Sequence, residues 1–131
     1  MIGLDTNVLI RYIADDDALQ STVAARIIES FSPESPGFVP IVVVAEMVWV
    51  LQFSYRFSKQ EIAKVLEKLL RSSELLVENA EIVDQSLREF RTSRADFPDC
   101  LIARCAHSAG CQHTLTFDRR AASLGTMRLI P

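Results

Sequence analysis

Brief apolar segments that stop at polar turns, alternating with longer segments of helical period, predict an α/β fold with a short parallel sheet covered on both faces. The strand-like pieces are Ile2-Gly3-Leu4, a run ending at Pro40, Glu74 to Val77, Thr114 to Phe117 and Met127 to Ile130. The segments between them repeat apolar residues at three and four, as helices with one covered face do. At 131 residues the chain suits a single domain, and about two thirds of its open-chain surface can be buried.

Ile2-Gly3-Leu4 ends at Asp5-Thr6-Asn7, and Val8, Leu9, Tyr12 and Ile13 then recur at helical spacing. Asp15-Asp16-Asp17 reads as a solvated turn and helix start, followed by a helix carrying Val23, Ala24, Ile27, Ile28 and Phe31. Ser32 to Gly37 is a loop. From Phe38 the valines favour a strand, yet Ala45 to Leu51 continue as a helix, so a strand is expected to Pro40 and a buried helix after it. Ser58-Lys59-Gln60-Glu61 is a capping box, and Ile62, Val65, Leu66, Leu69 and Leu70 follow at helical spacing. Asn79 is expected to cap a helix with the stripe Val83, Leu87 and Phe90. A further helix runs from Asp96 to Ala109 and stops at Gly110, and a brief one ends at Leu124.

Several carboxylates stand where this scheme has little use for them. Ligands in parallel α/β sheets bind beyond the carboxyl ends of the strands, and Asp5 and Asp118 follow the first and fourth strands. Either could also be a turn residue or N-cap. Glu46 lies within the apolar run Val42 to Leu51, where an unpaired buried carboxylate costs several kcal/mol unless a partner or metal offsets it; the other reading is that it reaches solvent at the helix edge. Asp96 suits an N-cap, and Asp99 in the first turn suits the helix dipole. If these acids converge, like charges need a cation, and an all-oxygen set favours Mg²⁺ or Mn²⁺ over zinc.

Four fragments in order resemble the PIN-domain ribonucleases, specifically the VapC-type toxins of bacterial VapBC toxin-antitoxin pairs. They are Leu4-Asp5-Thr6-Asn7, Val44-Ala45-Glu46, Asp96-Phe97-Pro98-Asp99-Cys100-Leu101-Ile102-Ala103 and Thr116-Phe117-Asp118, and the resemblance runs nearly end to end. It implies one PIN domain over residues 1–131: a three-layer α/β/α sandwich with a short central parallel sheet, its first and fourth strands adjacent. It further implies Mg²⁺- or Mn²⁺-dependent cleavage of single-stranded or loop RNA by a metal-activated water. Asp5 and Asp99 would be the main metal ligands, Glu46 and Asp118 would complete the pocket, and Asp96 either binds metal or water or only caps its helix. Thr6, Asn7 and Thr116 would orient those groups. A cognate VapB-type antitoxin and a homodimer are implied as well. Pro98 and Cys100 depart from the small residues the family often has there.

Arg88, Arg91 and Arg94 along one helix, and Arg119 and Arg120 after Asp118, either guide RNA phosphates toward the acids or are ordinary solvated charges; Arg91, Arg94 and Arg119 are the leading candidates. Cys100, Cys105, His107, Cys111 and His113 lack paired zinc spacing, and buried thiols are the expected reading. Trp49, Phe53, Tyr55 and Phe57 are expected mostly in the core. A phosphatase with Asp5 as nucleophile is disfavoured because Asn7 stands where such enzymes carry a second aspartate. A non-catalytic binding module is disfavoured by the intact acids. No apolar run approaches the ~20 residues of a spanning helix, and with no signal-like start and three crowded cysteines a cytoplasmic protein is expected. The net charge of -3 argues against a free-standing nucleic-acid binder, but without Asp5, Glu46, Asp96, Asp99 and Asp118 the remaining 12 acids face 14 bases. Nucleic-acid binding is then expected to depend on bound cations.

Overall fold

A computed structural model describes all residues 1–131, and the chain divides into two compact units, Met1–Ala80 and Glu81–Pro131. The first contains β1 (Ile2–Gly3), α1 (Thr6–Ala14), α2 (Ala18–Glu29), β2 (Gly37–Val39), α3 (Ile41–Phe53), α4 (Lys59–Arg71) and β3 (Leu75–Val77). The second contains α5 (Ala80–Thr92, begun one residue earlier), α6 (Phe97–Ser108), β4 (Thr114–Thr116), a 3₁₀ turn (Ala121–Ser123) and β5 (Met127–Leu129). Helices alternate with strands and every strand pair is parallel, so the α/β class expected from the sequence is borne out.

In the first unit β2 is central, pairing Gly37 with Ile2 on one side and with Leu75 on the other. Gly37 has to be glycine, because a Cβ there would lie 2.6 Å from the ring of Phe31. The second unit pairs β4 with β5, Thr116 opposite Leu129. β1 is hydrogen-bonded to β2 in the first unit and β4 to β5 in the second. β1 is only two residues long, and the adjoining Leu4 N–H extends its pairing by donating to the Phe38 carbonyl at 2.9 Å.

α4 is the best-specified helix. Ser58 Oγ accepts from Glu61 N at 3.1 Å while the Glu61 carboxylate accepts from Ser58 N at 2.9 Å, a reciprocal cap that contributes about 1 kcal/mol. It buries Ile62, Leu66 and Leu69 on one face, each worth roughly 1.5–3 kcal/mol. Truncating fully buried Leu66 to alanine would cost about 2–5 kcal/mol.

α3 is apolar all round and buries Val43, Val44, Met47, Val48 and Leu51. Pro40 precedes it and supplies no side-chain cap. The Glu78 carboxylate, at the end of β3, accepts from Ile41 N at 2.8 Å and takes over that role. Trp49 and Phe53 are not core residues as expected; both are about half exposed, their rings 5.4 Å apart. Tyr55 and Phe57 are half-buried. α2 likewise buries Ala24 and Ile28 but exposes Leu19, Val23 and Ile27 in one row.

The Asp15-Asp16-Asp17 turn has a structural use. Asp15 ends α1 in the left-handed region at φ 52°, and Asp17 caps α2 by accepting from Gln20 N at 3.0 Å. Asp16 accepts from Arg11 at 2.9 Å and from the Tyr55 hydroxyl at 2.8 Å, pinning this turn to the one after α3. Asn79 also lies in the left-handed region, φ 50°, so it turns the chain into α5 and does not have the extended backbone usual for an N-cap.

In the second unit Val83, Leu87 and Phe90 of α5 are buried as the stripe predicts. Phe90 meets Phe97 edge to face at 5.9 Å, and Glu89 pairs with Arg104 of α6. α6 closes on Gly110 at φ 98°.

Candidate active site

Each unit presents its own group of acids. In the first, Asp5 ends β1 with extended backbone (φ -84°, ψ 160°) and its Oδ1 accepts from Thr6 N at 2.8 Å. Thr6 is buried at the start of α1 and its hydroxyl donates to the Glu46 carboxylate on α3. Glu46 is itself exposed, not buried as the apolar run suggested: it falls on the open side of α3, opposite Met47 and Val48. Asn7 is exposed in the first turn of α1.

In the second unit Asp96 occupies the N-cap position of α6 (φ -73°, ψ 156°), yet its side chain makes no capping hydrogen bond. Its Oδ1 lies 3.9 Å from the Arg120 guanidinium instead. Pro98 fits the first helical turn, where no N–H partner is needed, and so costs nothing in presenting Asp99. Asp99 is half-buried beside Cys100, which is fully buried. Burial, and then the charges of Asp118 and Asp96, push the Asp99 carboxyl above its ordinary value, with Arg120 pulling weakly the other way. Asp118 is the turn residue its position suggests: Oδ1 accepts from Arg120 N at 2.8 Å and from Ala121 N at 3.3 Å. Thr116, expected to orient the site, accepts the Asp118 N–H on its hydroxyl at 3.0 Å.

Asp5, Thr6 and Glu46 are thus grouped in one unit, and Asp96, Asp99, Thr116 and Asp118 in the other. Arg91, Arg94 and Arg119 are exposed. The basic residue built into the second group is Arg120, whose Nε also donates to the Arg94 carbonyl at 3.2 Å. Arg120 is one of the two arginines that the sequence singles out after Asp118.

No three His, Cys, Asp or Glu side chains close into a metal cage. Mg²⁺ does not require one: it keeps several waters and is commonly held by one or two carboxylates together with substrate phosphates. Asp99, raised by burial and then by the charges of Asp118 and Asp96, stands among carboxylates that have the donor chemistry for such a hard cation. Cys100 is a buried thiol as expected, whereas Cys105 and Cys111 are exposed because they fall on the outer face and beyond the end of α6.

A separate cavity of about 730 Å³ in the first unit is lined by Tyr12, Ile28, Phe31, Phe57, Leu69 and neighbouring residues. It shares no residue with either acidic group. No helix is long and apolar enough to cross a membrane.

The PIN domain family model matches residues 2–126. The chain is also 26% identical over 128 residues to the VapC ribonuclease of Aquifex aeolicus (strain VF5), covering 98% of this chain and 95% of that protein. The order of the acids, the parallel α/β elements and the extent of both matches agree: the chain belongs to the PIN-domain family, and its full-length similarity is to a VapC-type member of it.

Proposed function

We propose that this protein is a metal-dependent endoribonuclease toxin that cleaves single-stranded or loop RNA and is neutralised by a cognate VapB-type antitoxin. The observation that carries the reading is the setting of Asp99, a half-buried carboxylate raised first by its burial and then by the charges of Asp118 and Asp96, an arrangement that a cation would relieve. The full-length similarity to a VapC ribonuclease supports the activity and the partner.

Asp5 and Asp99 would hold Mg²⁺ or Mn²⁺, with Glu46 and Asp118 completing the acidic set. Bound there, the ion supplies Lewis-acid stabilisation of the phosphoryl charge and lowers the pKa of water. The chain's own residues do the rest. Thr6 fixes the Glu46 carboxylate, leaving its other oxygen to accept a proton or orient water. Thr116 and the two backbone N–H groups fix Asp118. Arg120, anchored by Asp96 and the Arg94 carbonyl, offers a positive charge to a phosphate beside the acids. Asp96 in this reading steers Arg120 and need not bind metal. Arg91, Arg94 and Arg119 guide the RNA backbone, and Asn7 orients water or phosphate.

The PIN family match spans both units, which supports a single functional domain over 1–131. The bare row of Val42, Trp49 and Phe53 on α3 supports a homodimer. A protein of this type works in the cytoplasm, where its RNA is.

The test is purified protein with single-stranded RNA, with Mg²⁺ or Mn²⁺ and with a chelator. Internal cleavage that requires the cation and leaves a phosphomonoester substrate untouched supports the proposal. Metal-independent cleavage, or release of phosphate from the monoester, contradicts it.

A further inference from the structure

Phe117 is the most exposed large apolar side chain in the protein, at 78%. Scattered surface hydrophobes need no explanation, so its surroundings decide its meaning. β4 ends at Thr116, which puts Phe117 just outside the strand, immediately before Asp118. Its backbone is held on both sides: the Ile130 N–H donates to the Thr116 carbonyl at 2.8 Å, and the Asp118 N–H donates to Thr116 Oγ1 at 3.0 Å. Asp118 is tied in turn to the N–H groups of Arg120 and Ala121. The ring is therefore carried on a fixed turn, so little backbone entropy is lost when something settles on it. Exposed Arg119 follows two residues later, and Arg120 is anchored by Asp96 and Arg94.

An exposed aromatic ring followed within three residues by two exposed arginines matches the repeating chemistry of a single-stranded nucleic acid, one base and one phosphate at a time. Leu115 on β4 and Leu129 on β5 are exposed too, as a protein partner would use, but the two arginines that follow Phe117 and its place next to Asp118 favour a nucleic acid. We propose that Phe117 is a base-stacking platform: it receives the base of a nucleotide next to the scissile phosphate while Arg119 and Arg120 take the adjoining phosphates. The proposal rests on the nuclease reading of the Asp99 and Asp118 site and adds to it how RNA is seated. Because every base has a π-face, the platform favours unpaired RNA over duplex without choosing a sequence.

The test is steady-state cleavage of a mixed-sequence single-stranded RNA oligonucleotide with Mg²⁺, using the full chain and its Phe117→Ala, Phe117→Leu and Phe117→Trp variants. Phe117→Ala and Phe117→Leu should raise KM about tenfold, with kcat changed less than about twofold. Phe117→Trp should restore or lower KM. Thermal midpoints should not move, since the ring is exposed, and this separates lost stacking from lost folding. Wild-type KM in Phe117→Ala, or full rescue by Phe117→Leu, overturns the stacking role while leaving the nuclease intact. A wild-type protein that neither cleaves nor binds RNA overturns the nuclease reading, and this one with it.

Discussion

The hydroxyl of Thr6, at the start of α1, donates to the carboxylate of Glu46, forty residues further along on α3. Thr6 is buried and Glu46 exposed, so the bond reaches outward from the core and fixes one oxygen of a surface acid. Groups of this kind set the direction in which a carboxylate meets water or a cation. Thr6→Val keeps the shape and removes the donor. RNA cleavage should fall about 10- to 100-fold in kcat/KM, and Thr6→Ser should recover most of it. Equal activity in Thr6→Val would remove Glu46 orientation from the account.

Asp99 is held at a cost to the fold. Without divalent metal, Asp99→Asn should stabilise the fold by roughly a few tenths of a kcal/mol once solvent screening is allowed for, and so raise the midpoint of thermal unfolding. Added Mg²⁺ should stabilise the wild type more than the variant. Differential scanning calorimetry in chelator and in Mg²⁺ checks both. A variant less stable than the wild type in chelator would mean that repulsion from Asp118 and Asp96 is not felt at Asp99.

The bond from Tyr55 and the pair with Arg11 hold the Asp16 carboxyl below its ordinary value of 3.8. A depressed acid contributes stability above its unfolded value and loses it as pH falls through the folded one. Tyr55→Phe should therefore lower the urea midpoint at neutral pH, and the gap from wild type should narrow as the pH falls below 3.8 and the folded carboxyl protonates. A gap that stays constant with pH would assign the loss to packing alone.

What could be read from the sequence was local. The Ser58 and Glu61 box, the Gly110 stop, the break between β2 and α3 and the α5 stripe all depend on neighbours within a turn or two. What could not be read depends on distant partners. Ile41 is capped by Glu78, thirty-seven residues away. Asp16 looked like a solvated charge until Tyr55 met it. α3 is apolar on every side, so its period could not show that Trp49 and Phe53 face outward or that Glu46 is exposed. Among the site residues the acids were legible as residues out of place. Arg120 was legible as a charge following Asp118, but its contacts with Asp96 and the Arg94 carbonyl exist only in three dimensions.

The exposed row of Val42, Trp49 and Phe53 leads to a prediction about assembly. Trp49→Glu should shift the protein toward monomer in light scattering at micromolar concentration, with its circular dichroism unchanged. An unchanged mass would place any self-association elsewhere.

The proposed activity turns on Asp99 and Asp118, whose charges meet in the second unit, serving one catalytic metal. Single-turnover RNA cleavage in saturating Mg²⁺ by Asp99→Asn, Asp118→Asn and the double variant tests it most directly. Residues acting on one ion are strongly non-additive, so the double variant should be about as slow as the slower single one, each at least about 10³-fold below wild type. Losses that multiply in the double variant, or near-full activity in either single one, would contradict the account.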